Sequence, residues 1–91
     1  MEFEWDEAKE RLNVRNHGVS FELAKQIFDG PVLTWLDDRH EYGEERSISI
    51  GMVEEVAILV IVHTDREGRT RLISARPASK RERQRYYEET R

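Results

Sequence analysis

The sequence predicts an α+β domain: two N-terminal helices, a four-stranded antiparallel sheet and a C-terminal helix. Three observations predict it. Two early segments carry helix start and stop signals, four β-forming runs follow at hairpin spacing, and a capping box opens a charged final segment. With 91 residues, residues 1–91 are expected to form a single domain, since cores divide only above roughly 250 residues.

The first helix is expected over Glu7–His17. Asp6 can cap its free N–H groups, and Gly18 supplies the left-handed residue that ends it. Its apolar stripe (Ala8, Leu12, Val14) is thin, which leaves anchoring to Phe3 and Trp5. The second helix opens at Ser20. Phe21, Leu23, Ala24, Ile27 and Phe28 fall on one arc, and the "DGP" of Asp29–Pro31 stops it.

Four strands follow. Val32–Leu36 ("VLTWL") is rich in β-formers. Arg46–Gly51 alternates, with Ile48 and Ile50 on one face and Ser47 and Ser49 on the other. Val56–Thr64 ("VAILVIVHT") is apolar on both faces and belongs at the centre of a sheet covered on both sides. Arg69–Arg76 alternates less cleanly, with Arg71, Ile73 and Ala75 expected opposite Leu72, Ser74 and Arg76. The links "MVEE" and "DREGR" suit hairpins, so these strands should be antiparallel neighbours. In "SKRE", Ser79 and Glu82 form a capping box for the last helix.

Composition narrows the function classes. Charged residues are 37% and apolar residues 37%, a heavy charge load with enough apolar segments for a folded domain. No cysteine is present, which removes disulfides, thiol catalysis and cysteine-based zinc sites. The longest apolar run, Val56–Val62, is far short of the roughly 20 residues of a membrane span. The acidic start lacks a signal-peptide pattern. A soluble cytoplasmic protein is expected, with no membrane association.

Charge is divided along the chain. The net formal charge is −4, yet Arg69–Tyr87 holds seven Lys or Arg and one acid, Glu82. Residues 1–62 carry 6 basic and 14 acidic residues, whereas residues 63–91 carry 9 and 5. A basic half on an acidic protein points to a polyanionic partner, and the acidic half to a basic protein partner. A helical wheel puts Lys80, Arg83, Tyr86 and Tyr87 on one arc, turning Arg83 toward the sheet beside Arg71 and Arg76. Guanidinium groups grip phosphate through paired hydrogen bonds, and aromatic rings stack on unpaired bases. Arginine with tyrosine is therefore the chemistry of a single-stranded RNA site. The plainer reading of the same residues is a solvated helix face, with Tyr86 in the core and Arg83 paired to an acid.

His17, His40 and His63 lack metal-type spacing, so no metal site is expected. His63 closes the apolar strand and is a candidate general acid or base, or a strand-end histidine bonded to backbone. The acidic loop Asp37–Arg46 ("DDRHEYGEER") reads as solvated or as a surface for a basic partner.

Several blocks together carry a family resemblance. "FEWDEAK" (Phe3–Lys9), Asn13, "HGVSFE" (His17–Glu22), "GEER" (Gly43–Arg46), Ile50–Gly51 and "RLISAR" (Arg71–Arg76) followed by Glu82 and Tyr86 resemble the BrnT toxins of type II toxin–antitoxin systems. Two positions depart from it: Asn16 stands where a basic residue is usual, and Ser47 where an aromatic is common. The resemblance implies a RelE-like fold and a bacteriostatic ribonuclease that arrests translation; no cofactor is expected. It also implies a BrnA-type antitoxin with a DNA-binding ribbon-helix-helix domain, through which the complex would reach operator DNA. Arg71, Arg76, Glu82 and Tyr86 match the C-terminal motif, and Lys9 and His17 the N-terminal one.

The resulting expectation is a metal-independent endoribonuclease. Arg76 and Arg83 would bind the phosphate and stabilise its charge. Arg71, Lys80, Lys9 and His17 would guide the RNA backbone, Tyr86 would stack a base or donate a proton, and His63 would move a proton. The rival readings are a non-catalytic nucleic-acid-binding or antitoxin-binding module, and a purely structural partner-binding domain.

Overall fold

A computed structural model of the chain describes residues 1–90. Phe3–Glu4 forms a short strand, β1. Helix α1 spans Glu7–His17, where the Asp6 carboxylate accepts from the backbone N–H of Ala8 and Lys9, and Gly18 ends it at φ 70°. Helix α2 covers only Phe21–Ala24, with Ser20 accepting from the Leu23 N–H. The expected continuation is not α-helical. Lys25–Asp29 tightens into a 3₁₀ turn, which seats Ile27 on the bare backbone of Gly51; a Cβ there would lie 2.6 Å from the Ile27 Cβ.

The strands are β2 (Val32–Leu36), β3 (Ser47–Val53), β4 (Ala57–Arg66) and β5 (Arg69–Pro77), followed by α3 (Lys80–Thr90). They form one five-stranded sheet in the order β1-β5-β4-β3-β2. This corrects the expected four strands: β1 adds to the edge, parallel to β5, pairing Phe3 with Thr70 and Glu4 with Arg71. Two residues are too few to show a period of two, so β1 leaves no pattern in the sequence. The other neighbours are antiparallel, as the hairpin spacing required.

The sheet buries both faces. One packs Leu59, Ile61, Leu72 and Ala75 against Phe21, Ala24 and Ile27 of the α2–3₁₀ segment, with Phe3 and Trp5 alongside. The other packs Ile48, Ile50, Ile58 and Val60 against Ala78 and Tyr86, with Trp35 and Val62 at its border. β4 contributes to both, which explains its unbroken apolar run.

β5 departs from simple alternation. Val62 pairs with Ser74 and His63 with Leu72, so Ile73 is an extra, bulged residue. One added residue reverses the faces beyond it. Leu72 and Ala75, expected on opposite sides, therefore lie in the same core. Arg71, Ser74 and Arg76 share the other face, opposite Thr64, Val62 and Val60.

Candidate nucleic-acid interface

The α3 face of the sheet is built by β5 and by the start of α3. The predicted capping box forms: the Ser79 N–H donates to Glu82 Oε1 and the Glu82 N–H to Ser79 Oγ. The Glu82 carboxylate also takes both terminal nitrogens of Arg76, at 2.8 and 2.9 Å. The Arg76 pair, and to a lesser degree Ser79, hold Glu82 down at about 2, against a smaller opposing effect of burial. Arg76 is thus fixed as a cation while its side chain stays 42% exposed. Its Nε edge has no partner among the described residues, leaving one side of the fork for an anion.

Along the same face, Arg71 donates to Glu4 Oε2 at 2.7 Å and stays partly exposed. Between the two arginines the bulge presents Ser74 beside a hollow of about 250 Å³ lined by Lys9, Leu12, Asn13, Asn16, His17 and Ile73. Asn13 positions that wall. β1 pairs with β5 only at Thr70 and Arg71, so β5 is an unpaired edge further on. Asn13 fills it: its Oδ1 accepts from the Ala75 N–H, and its Nδ2 donates to the carbonyls of Ala75 and Val19. Lys9, His17, Ser74, Arg71 and Arg76 are in this way brought to one edge of the sheet.

Four predicted residues are placed elsewhere. Tyr86 is core, 4% exposed, and its hydroxyl donates to the Pro31 carbonyl; it is in no position to stack on a base, and Tyr87 is the exposed ring of the pair. The face α3 turns inward is marked by Glu82, Tyr86 and Arg85, whose guanidinium lies 4.8 Å from the Trp35 ring centroid. Arg83 therefore sits on an exposed flank rather than facing the sheet, one of its nitrogens donating to the Ala78 carbonyl. Lys80 is exposed beside Gln84 and Tyr87. A wheel drawn on the two tyrosines misses this rotation because it takes both as apolar.

His63 lies on the opposite face from Arg76. It pairs across from Ser47, packs edge-on to Phe28 at 5.2 Å and bonds Ser49 Oγ through Nε2 at 2.8 Å. Ser49 in turn bonds the exposed Thr34 hydroxyl at 2.7 Å. Burial lowers the His63 pKa, partly offset by Asp65. Sequence reasoning could not separate His63 from Arg76, because the bulge between them inverts the parity of β5. It also passed over Ser74, whose only signal is its spacing from Arg76, and met Asn16 only as a departure from the family pattern.

The comparisons agree with this architecture. The family model described as "Ribonuclease toxin, BrnT, of type II toxin-antitoxin system" matches residues 5–82. The crystal structure of the ribonuclease toxin BrnT of Brucella abortus superposes with a TM-score of 0.67 at 24% identity, covering 88% of this chain and 99% of that one. No curated protein matched. The matched residues run from Trp5, ahead of α1, to Glu82 in the first turn of α3. The chain accordingly belongs to the BrnT family of ribonuclease toxins of type II toxin–antitoxin systems.

Proposed function

We propose that this protein is a metal-independent endoribonuclease that arrests translation, and that it cleaves RNA on the α3 face of the sheet, along β5. The observation carrying this reading is Arg76: a guanidinium oriented by a bidentate carboxylate, with one edge open to solvent, on the strand face it shares with Arg71 and with Ser74, which lines a hollow with Lys9 and His17. In such chemistry the 2′-hydroxyl of the RNA attacks the adjacent phosphorus, and the 5′-oxygen leaves with a proton. The protein must align the phosphate, balance the charge growing on its oxygens and move two protons. Arg76 supplies charge, and Arg71 and Lys9 guide the backbone. Arg83 and Lys80 extend the cationic path along the outside of α3. His17, adjoining Ser74, replaces His63 as the candidate for proton transfer, and Tyr86 acts by fixing α3.

The test is cleavage of RNA by the purified protein in EDTA. Cleavage should persist, fall by about 10²–10³-fold in Arg76→Ala and by about 10²-fold or more in His17→Ala. RNA left intact by the wild type, with and without ribosomes, removes the enzyme reading in favour of a binding module.

A BrnA-type antitoxin with a ribbon-helix-helix domain is the proposed partner, and would bring the complex to operator DNA. Support for a basic antitoxin segment comes from a hollow of about 440 Å³ at the end of the sheet remote from the Asp37–Arg46 loop, where Asp29, Glu54 and Glu55 surround Pro31, Met52 and Tyr86. No helix among the described residues is long and apolar enough to cross a membrane.

A further inference from the structure

The loop between β2 and β3 has more internal order than a solvated acidic loop requires. The Asp37 N–H donates to the Arg46 carbonyl at 2.8 Å, which carries the β2–β3 ladder one pair further. Alternation with Trp35 then points Asp37 toward the α3 face. Its carboxylate is fully buried. It accepts from Arg39 Nε and Nη2, both at 2.7 Å, and from the Tyr42 hydroxyl at 3.1 Å. Burying a carboxylate is costly unless its partners are held in good geometry.

What the arrangement holds is Arg39. Its Nε–Nη2 edge is fixed on Asp37, its side chain remains 59% exposed, and its Nη1 edge has no partner among the described residues. Arg46 is a useful contrast. Its guanidinium lies 4.0 Å from the Tyr42 ring centroid and its Nε is bonded to Glu44, so its charge is already engaged within the loop.

Arg39 and Arg76 share a design: each is gripped on one edge by a carboxylate and open on the other. They are near enough for the charge of Arg39 to oppose that of Arg76. Two like charges held toward the same space are unfavourable until an anion comes between them. Val62 and Ser74, paired across β4 and β5 on this side of the sheet, are each partly exposed.

We propose that Arg39 is a second phosphate-binding guanidinium, gripping the backbone of single-stranded RNA one or more nucleotides from the phosphate held at Arg76, with Asp37 as its positioning residue. This rests on the reading of the α3 face as the RNA site. It assigns to the Asp37–Arg46 loop a role in substrate binding, where its acidity had suggested a basic protein partner.

The probe is a fluorescent single-stranded 2′-deoxy oligonucleotide, which lacks the attacking hydroxyl and reports binding without cleavage. Its Kd is measured across a KCl series alongside RNA cleavage by the same preparations. Arg39→Ala should weaken binding about tenfold and make the salt dependence shallower by about 0.7, the share of one single-strand phosphate contact. Asp37→Asn should weaken binding but keep the salt dependence, because the charge remains. If Arg39→Ala loses its thermal transition, Arg39→Gln decides, since it keeps a donor for Asp37 without the charge. Wild-type Kd and slope in folded Arg39→Ala or Arg39→Gln overturn the proposal. A wild-type protein that binds the probe through Arg39 yet cleaves no RNA removes the enzyme reading alone; one that cleaves with Arg39 indifferent removes this inference alone.

Discussion

His63 shows how its setting decides what a histidine does. Set edge-on to Phe28 and bonded to Ser49, it is held by burial below its ordinary value of 6.5, with Asp65 opposing. The unfolded chain therefore takes up a proton that the native protein resists. Stability is present in full above the ordinary pKa and declines as the solution is acidified through it. Urea unfolding of the wild type should have a lower midpoint at about pH 5.5 than at about pH 7.5, and His63→Gln should flatten that difference. An unchanged difference in the variant would assign the pH dependence to other groups. Glu82 has the opposite kind of environment. Its charged form is stabilised by Arg76, so it stays ionised throughout this range and keeps the Arg76 fork in place.

Among the elements, α1 is the least conventional. Leu12 and Val14 are exposed, and the only buried residue of the helix is Asn13. The helix is held to the sheet by an amide standing in for a missing strand, completing both backbone groups of Ala75. Asn13→Ala would leave the Ala75 N–H and two carbonyls without their side-chain partner in a largely buried site. A loss of about 2–4 kcal/mol is expected. Denaturant unfolding measures it, and faster amide exchange at Ala75 would locate it. Asn13→Asp should also destabilise, since it keeps the acceptor but loses the donor. At the other end, α3 is set by Tyr86 in the core, by the Ser79–Glu82 box and by Arg85 over Trp35. Its rotation leaves Arg83 on an exposed flank.

The molecule as a unit sorts its charge by location. Lys9 and His17 of α1 line a hollow with Ile73 and Ser74 of β5, the strand that also carries Arg71 and Arg76. The hairpin at the far end carries Glu54 and Glu55, both at positive φ (53° and 55°), next to Asp29. Under the proposed function, opposed electrostatic surfaces would let one small domain meet a polyanion and a basic protein at separate places. Replacing Glu54 and Glu55 together by Lys should weaken association with the proposed antitoxin while leaving RNA cleavage intact, as read by co-purification and cleavage on one preparation. Wild-type association would move the antitoxin contact away from this hairpin.

Much of this was legible in the order of residues. Asp6, Gly18, Ser20, Ser79 and Glu82 act within four positions of the groups they satisfy, so the caps they predict form as read. The run Val56–Val62 announced a central strand, and the family blocks announced a ribonuclease toxin family. The rest depends on contacts between distant residues. β1 exists only because β5 offers an edge, and the bulge at Ile73 puts Arg76 on one face and His63 on the other. Asn13 acquires its role from a backbone 62 positions away. Local signals specify elements because their partners are a turn away; which side chains meet depends on strand parity and helix rotation, which packing alone sets.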